Sequence, residues 1–224
     1  MKVTIYIFLL FFSLCCFSQK VYPYEKWKPQ EITLASNFTT ISYMDSMEKE
    51  ILYYANLVRI NPKLFCATYL QEYIDIKQID RTNSYVKSLI SNLNDCKSRN
   101  QLYPDSNLYE MANNHAFSMG EKGLVGHNGF DNRIKKFLNG KFVMTGENCD
   151  YGNEYAIDIF MSLLIDQDVP SLGHRFNLLN SDFTSIGISI QPHKKYGVNC
   201  VMDFGCDISL LKKKTFFEKL IFWK

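Results

Sequence analysis

From Ser42 onward the apolar positions keep helical time. Met44, Met47, Ile51, Tyr54, Ala55 and Val58 recur at three- and four-residue steps with Asp45, Glu48, Lys49 and Glu50 between them, which predicts an amphipathic helix capped by Ser42 or Asp45. Asn61-Pro62 ends or kinks it, because the residue before a proline is pushed out of the helical region. Leu64, Phe65, Ala67, Tyr69 and Leu70 continue as a second short helix. Residues 73–100 turn polar, and Val86, Leu89, Ile90 and Leu93 mark one more helix within what reads as an insertion. A stripe of Leu108, Met111, Ala112, His115, Ala116 and Met119 follows, capped by Asp105 or Ser106 and closed by Gly120 and Gly123. Ala156, Ile157, Ile159, Phe160, Leu163 and Leu164 form a third strong helix that ends near Asp166, Asp168 and Pro170. After a short helical turn at Phe176, Leu178 and Leu179 the period changes to two. Ile186 to Ile190 and Val198 to Phe204 alternate as strands joined by a turn over 192–197. Helices followed by a small antiparallel sheet predict an α+β domain.

The N-terminus has a different pattern. Lys2 precedes an apolar run from Val3 to Phe17 that is shorter than a membrane-spanning helix, and Ser18 offers a small residue before a cut. Residues 1–18 therefore read as a signal peptide of a secreted, extracellular protein. Residues 19–41 lack a sustained period and read as a leader that lies over the domain or stays mobile. The last segment, 208–224, carries Lys212, Lys213 and Lys214 before Phe216, Phe217, Leu220, Ile221, Phe222 and Trp223. It reads as a basic amphipathic tail for which packing back onto the domain is favoured over membrane contact.

Composition narrows the function classes. With 25 basic and 23 acidic residues the chain is near neutral, so no nucleic-acid partner is implied. An apolar fraction of 46% with 17 Phe and 14 Tyr supplies a core. Cys15 and Cys16 leave with the signal, and Cys66, Cys96, Cys149, Cys200 and Cys206 become disulfide candidates in an oxidising compartment. Their pairing is open, with Cys66 to Cys96 preferred. No C-x2-C pair, nucleophile elbow or phosphate loop is present.

Three glycine-flanked segments carry the candidate chemistry: Gly126-His127-Asn128, Gly146-Glu147-Asn148 and Gly173-His174-Arg175. Two imidazoles and a carboxylate are the ligand set of an open metal site, although on the residues alone the favoured reading is that Glu147 caps or braces loops and each histidine donates to a backbone carbonyl. His115 reads as a packing histidine, His193 as an exposed turn residue, and Arg175 as the partner of an acid. Asn148 is a candidate to orient His127 or Glu147.

The order of these motifs, from Asn61-Pro62 through His115-Ala116 and Met119, then Gly-His, Gly-Glu-Asn, Gly-His-Arg and Val201-Met202-Asp203-Phe204, resembles the CAP superfamily of cysteine-rich secretory, antigen 5 and pathogenesis-related proteins, in a bacterial-type secreted form. The resemblance covers about residues 42–207, with the insertion at about 73–100. It implies an α-β-α sandwich with a central cleft. There His127, Glu147 and His174 take the family's first histidine, first acid and second histidine, able to hold a divalent cation such as zinc. Leu163 stands where the family has its second acid, and Asp166 is the candidate to reach the cleft instead. The resemblance implies a binding module for a small apolar ligand or an extracellular protein. A metal-assisted hydrolase, with Glu147 as its only candidate catalytic group, and a structural surface protein with a vestigial cleft are the alternatives.

Overall fold

Alternation along two paired strands sets the architecture. The computed structural model describes residues 26–38, 40–207 and 209; the predicted signal peptide and nearly all of the tail lie outside them. Strands β3 (Ser185–His193) and β4 (Gly197–Gly205) form an antiparallel hairpin in which Ile186 pairs with Phe204 and Ile188 with Met202. These residues and Cys200 face one side and join the main core. The other face, with Gly187, Ser189 and Val201, lies against helix α6 (Ser106–Lys122). Strand β2 (Thr145–Tyr151) extends the sheet antiparallel to β4, and the two-residue β1 (Tyr103–Pro104) adds in parallel beside β3, giving the order β1-β3-β4-β2. The sheet is therefore mixed rather than purely antiparallel. Its period-2 signal was weak at β2, where Glu147 and Cys149 alternate with Asn148 and Asp150, all four buried.

The remaining helices are α1 (Pro29–Ala35), α2 (Ser46–Ile60), α3 (Pro62–Phe65), α4 (Gln71–Lys77), α5 (Ser84–Asp95), α7 (Phe130–Phe137), α8 (Ala156–Ile165) and α9 (Gly173–Leu179), with a π-helical turn at Cys66–Leu70 linking α3 to α4. Helices α2 and α8 cover the face of the sheet opposite α6, which makes an α+β fold of three layers. Asp45 caps α2 by accepting from Glu48 N at 2.8 Å, and Asp105 caps α6. The segment read as a leader that lies over the domain or stays mobile includes α1 and supplies Trp27, Ala35 and Phe38 to the core. Among the described residues no helix is long and apolar enough to cross a membrane.

Small residues let α6 lie close to the sheet. A Cβ on Gly187 would sit 2.1 Å from the backbone of Leu108 and Tyr109. Gly120, expected to end α6, lies inside it, where a Cβ would meet the Pro192 carbonyl oxygen at 2.0 Å; Gly123, at φ +65°, ends the helix. A buried arginine ties the other side. Arg59 donates to the carbonyls of Asn100, Leu178, Asn180 and Phe183, and burial pulls its pKa down to about 9, still charged at neutral pH.

Two sequence expectations change. His193 is buried rather than exposed: its Nε2 donates to Leu124 O at 2.8 Å while Nδ1 accepts from Lys195 N and Tyr196 N. The five described cysteines are free thiols, including the favoured pair Cys66 and Cys96. Cys149 and Cys200 occupy adjacent strands, but Cys149 is paired with Val201 and Cys200 with Asp150. The two thiols therefore point to opposite faces of the sheet.

Candidate functional site

Strand β2 is an edge strand, and its alternation distributes the site over two faces. Glu147 and Cys149 face α6 and the loop that carries His127. Asn148 and Asp150 face α8 and α9. Gly146 is not a turn glycine, as its motif suggested, but a strand residue. A Cβ there would come within 2.9 Å of Asn177 and Phe183, so glycine permits the close approach of α9.

On the first face, the Glu147 carboxylate is 2% exposed. His127 Nδ1 donates to its Oε1 at 2.8 Å, and Arg133 Nη2 on α7 donates to Oε2. Arg133 Nη1 also donates to Asn128 O, so one guanidinium holds both the acid and the loop next to His127. Burial alone would raise the Glu147 pKa. The His127 hydrogen bond and the nearby His115 and Arg133 outweigh it and hold the carboxyl below its ordinary value. His115 is driven the other way by burial, toward the neutral ring. Its Nε2 lies 2.8 Å from Gly126 O, and because a carbonyl only accepts, that nitrogen carries the proton. Opposite Glu147 on β4 is Asp203, fully buried, with its carboxyl against that of Glu147 and no basic partner among the described residues. Burial and then the Glu147 charge push its pKa well up, so it is a neutral acid beside a carboxylate.

On the second face, Asp166 ends α8 at φ +58° and turns its carboxylate into the start of α9. Oδ1 accepts from His174 Nδ1 at 2.7 Å, and Oδ2 accepts from the backbone N–H groups of His174 and Arg175. Asn148, a candidate to orient His127, serves this half instead: it donates to His174 O at 3.0 Å and accepts from Asn177 Nδ2. Arg175 does not rest on an acid through its side chain. Its guanidinium donates to the carbonyls of Leu164, Ile165 and Tyr85 and to Ser88 and Asn92. A cavity of about 230 Å³ here is lined by His174, Asp166, Leu163 and Asp150 among others. Asp150 is the acid that motif reading missed. It accepts from Asn153 on both oxygens, and burial raises its pKa. Its place one residue beyond Cys149 on a strand was the available signal.

The structure thus brings His127 to Glu147, and His174 to Asp166 and Asn148. In both pairs Nδ1 is the donor, because an ionised carboxylate only accepts. Nε2 has no hydrogen-bond partner among the described residues on either ring, and the His127 side chain is 51% and that of His174 22% exposed. A further metal-capable group, His115, Glu147 and Cys149, has one ligating atom each within 4.8 Å of the others and could hold an ion. As folded it is poorly prepared to do so: the His115 nitrogen is protonated, Glu147 is doubly engaged, and burial keeps the Cys149 thiol protonated.

Residues 95–204 match the family model for the cysteine-rich secretory protein family, CAP. No curated protein matches the chain. Similar solved structures include an outer surface protein of Borrelia burgdorferi, at 26% identity and TM-score 0.42 over 58% of this chain and 96% of that one. A venom allergen-like protein of Schistosoma mansoni is 13% identical with TM-score 0.46, over 73% and 90%. An extracellular SCP-domain protein of Bacillus anthracis is 19% identical with TM-score 0.37, over 55% and 40%. With the motifs from His115 to Phe204 in family order inside the matched region, residues 95–204 of this chain form a domain of the CAP family.

Proposed function

We propose that this protein is an extracellular binding module whose cleft presents His127 and His174 to a divalent cation, zinc being the natural probe, with a small apolar ligand or partner beside it. One observation carries the reading: each imidazole uses Nδ1 on a buried carboxylate and leaves Nε2 without a partner among the described residues. That is how proteins orient metal-ligating histidines, the acids standing behind the rings. Glu147 and Asp166 thus act as orienting groups rather than as ligands. Leu124 and Val125, each about half exposed and next to Gly126-His127, offer apolar surface for the second ligand. Secretion and the predicted signal peptide belong to this proposal.

Binding is favoured over hydrolysis by the state of Glu147. A general base must reach the proton it takes, and this carboxylate is buried with both oxygens engaged. Leu163, 3% exposed, supplies no second base. Zinc titration of the mature chain by calorimetry tests the proposal. One site is expected, weakened at least about tenfold in His127→Ala and in His174→Ala and unchanged in Cys149→Ser, with the metal-free circular dichroism retained. Loss confined to Cys149→Ser would move the site to the His115 group, and undiminished binding in both histidine variants would overturn the reading.

A further inference from the structure

Between the C-terminal end of α5 and the loop after α9 lies an open groove of about 710 Å³, within the range of small-ligand sites. It shares α9 with the cleft but none of its histidines. Leu172, Phe176 and Leu179, spaced four and three residues apart, line the groove, whereas His174 and Asn177 turn to Asp166 and β2. Phe176 is 66% exposed. Leu172 has φ +52°, a conformation a bulky residue adopts only under constraint and one that gathers at binding sites.

The charges of the groove are unmatched. Arg99 makes no side-chain hydrogen bond or ion pair among the described residues, and its Nε is buried without a partner. Its guanidinium therefore lines the groove without a counter-charge among the described residues. Asp95 and Asp182 line the same groove, and among the described residues each carboxylate accepts only from a serine hydroxyl, at 3.5 and 3.4 Å. A simple anion would meet two carboxylates, a simple cation would meet the arginine, and a neutral apolar molecule would cover all three without pairing them. A molecule with both charges and an apolar body pairs the arginine and one of the carboxylates, leaves the other, exposed acid to water, and covers the apolar residues.

We propose that this groove binds a dipolar ligand of the amino-acid or short-peptide class, its carboxylate on Arg99, its ammonium on Asp95 or Asp182, and its apolar side chain on Leu172, Phe176 and Leu179. The site is independent of the metal-binding reading. Calorimetry of the mature chain with the dipeptides Leu-Phe and Lys-Phe, and with their N-acetylated and C-amidated forms, tests it. At least one free dipeptide is expected to bind saturably at one site, and either block is expected to weaken it at least about tenfold, the loss of a charge-assisted pair. Arg99→Gln should weaken the free dipeptide to the same degree and erase its preference over the amide; Phe176→Ser should weaken all forms. Neither side chain makes a hydrogen bond among the described residues, so circular dichroism should be unchanged in both. No saturable binding at millimolar dipeptide, equal binding of blocked and free forms, or undiminished binding to Arg99→Gln would overturn the proposal.

Discussion

Asp166 holds three hydrogens at once: the ring N–H of His174 and the backbone N–H groups of His174 and Arg175, the second and third residues of α9. It is both the helix cap and the histidine's orienting acid, and the two roles should fail together. In Asp166→Ala, thermal or urea unfolding is expected to show a loss of about 1–2 kcal/mol, the usual worth of a cap. Zinc affinity is expected to fall about 10–100-fold, the usual effect of removing an acid behind a ligating ring. A stability loss with unchanged zinc binding would separate the roles. His127, Glu147 and His174 were legible as residues because glycines flank them. Arg133 was not, because it lies on a helix whose short apolar period went unread, and its bond to Glu147 exists only once α7 folds over β2. Asn148 was legible as a cleft residue, but strand alternation assigns it to His174.

At the scale of elements, the seat of α6 on the sheet depends on two glycines more than on any side-chain pair. A methyl group at Gly187 would overlap the Leu108 and Tyr109 backbone at 2.1 Å, and no rotamer change relieves a clash with main chain. Gly187→Ala is expected to lose about 3 kcal/mol in denaturant unfolding, the upper range for overpacking. Gly173→Ala is the contrast. It opens α9, has no positive φ, and its Cβ would meet only Ser171 Oγ at an ordinary 3.5 Å, so a gain of up to about 1 kcal/mol is expected from the stiffer unfolded chain. The helical elements were the most legible: α2, α5, α6 and α8 follow from three- and four-residue apolar spacing and from Asp45 and Asp105 as caps. Strands β1 and β2 and helix α7 were hidden. Two residues carry no period, and a strand with polar residues buried on both faces reads as a loop.

Across the whole molecule, Glu48 fastens the start of α2 to the far end of the sheet. Its Oε2 accepts from Asp45 N and its Oε1 from Ile190 N. Burial raises its pKa from 4.5 to about 7. The folded state therefore binds more protons than the unfolded chain between those values, and stability falls as pH rises through that window. Asp150 and Asp203, also raised mainly by burial, act in the same direction. His115, lowered by burial, acts in the opposite sense, costing stability as the pH falls below its ordinary value. Melting temperature is expected to decline from pH 5 to pH 8, by the equivalent of about 1–2 kcal/mol from Glu48 once solvent screening is allowed for. Glu48→Gln should flatten that decline; an equally steep profile would assign it elsewhere. What the sequence by itself determined was local: the helical periods, the caps, the hairpin after residue 184, and the identity of the residues that crowd the cleft. Spacing along the chain records which face a side chain takes in its own element, and nothing more. Only the tertiary structure decided which acid stands behind which histidine, that Arg133 and Asp203 flank Glu147, that His193 is buried, and that Arg99 is left unpaired at a groove. Each of those facts is a meeting of segments distant in sequence, made by the packing of α6, α7 and α9 on one sheet.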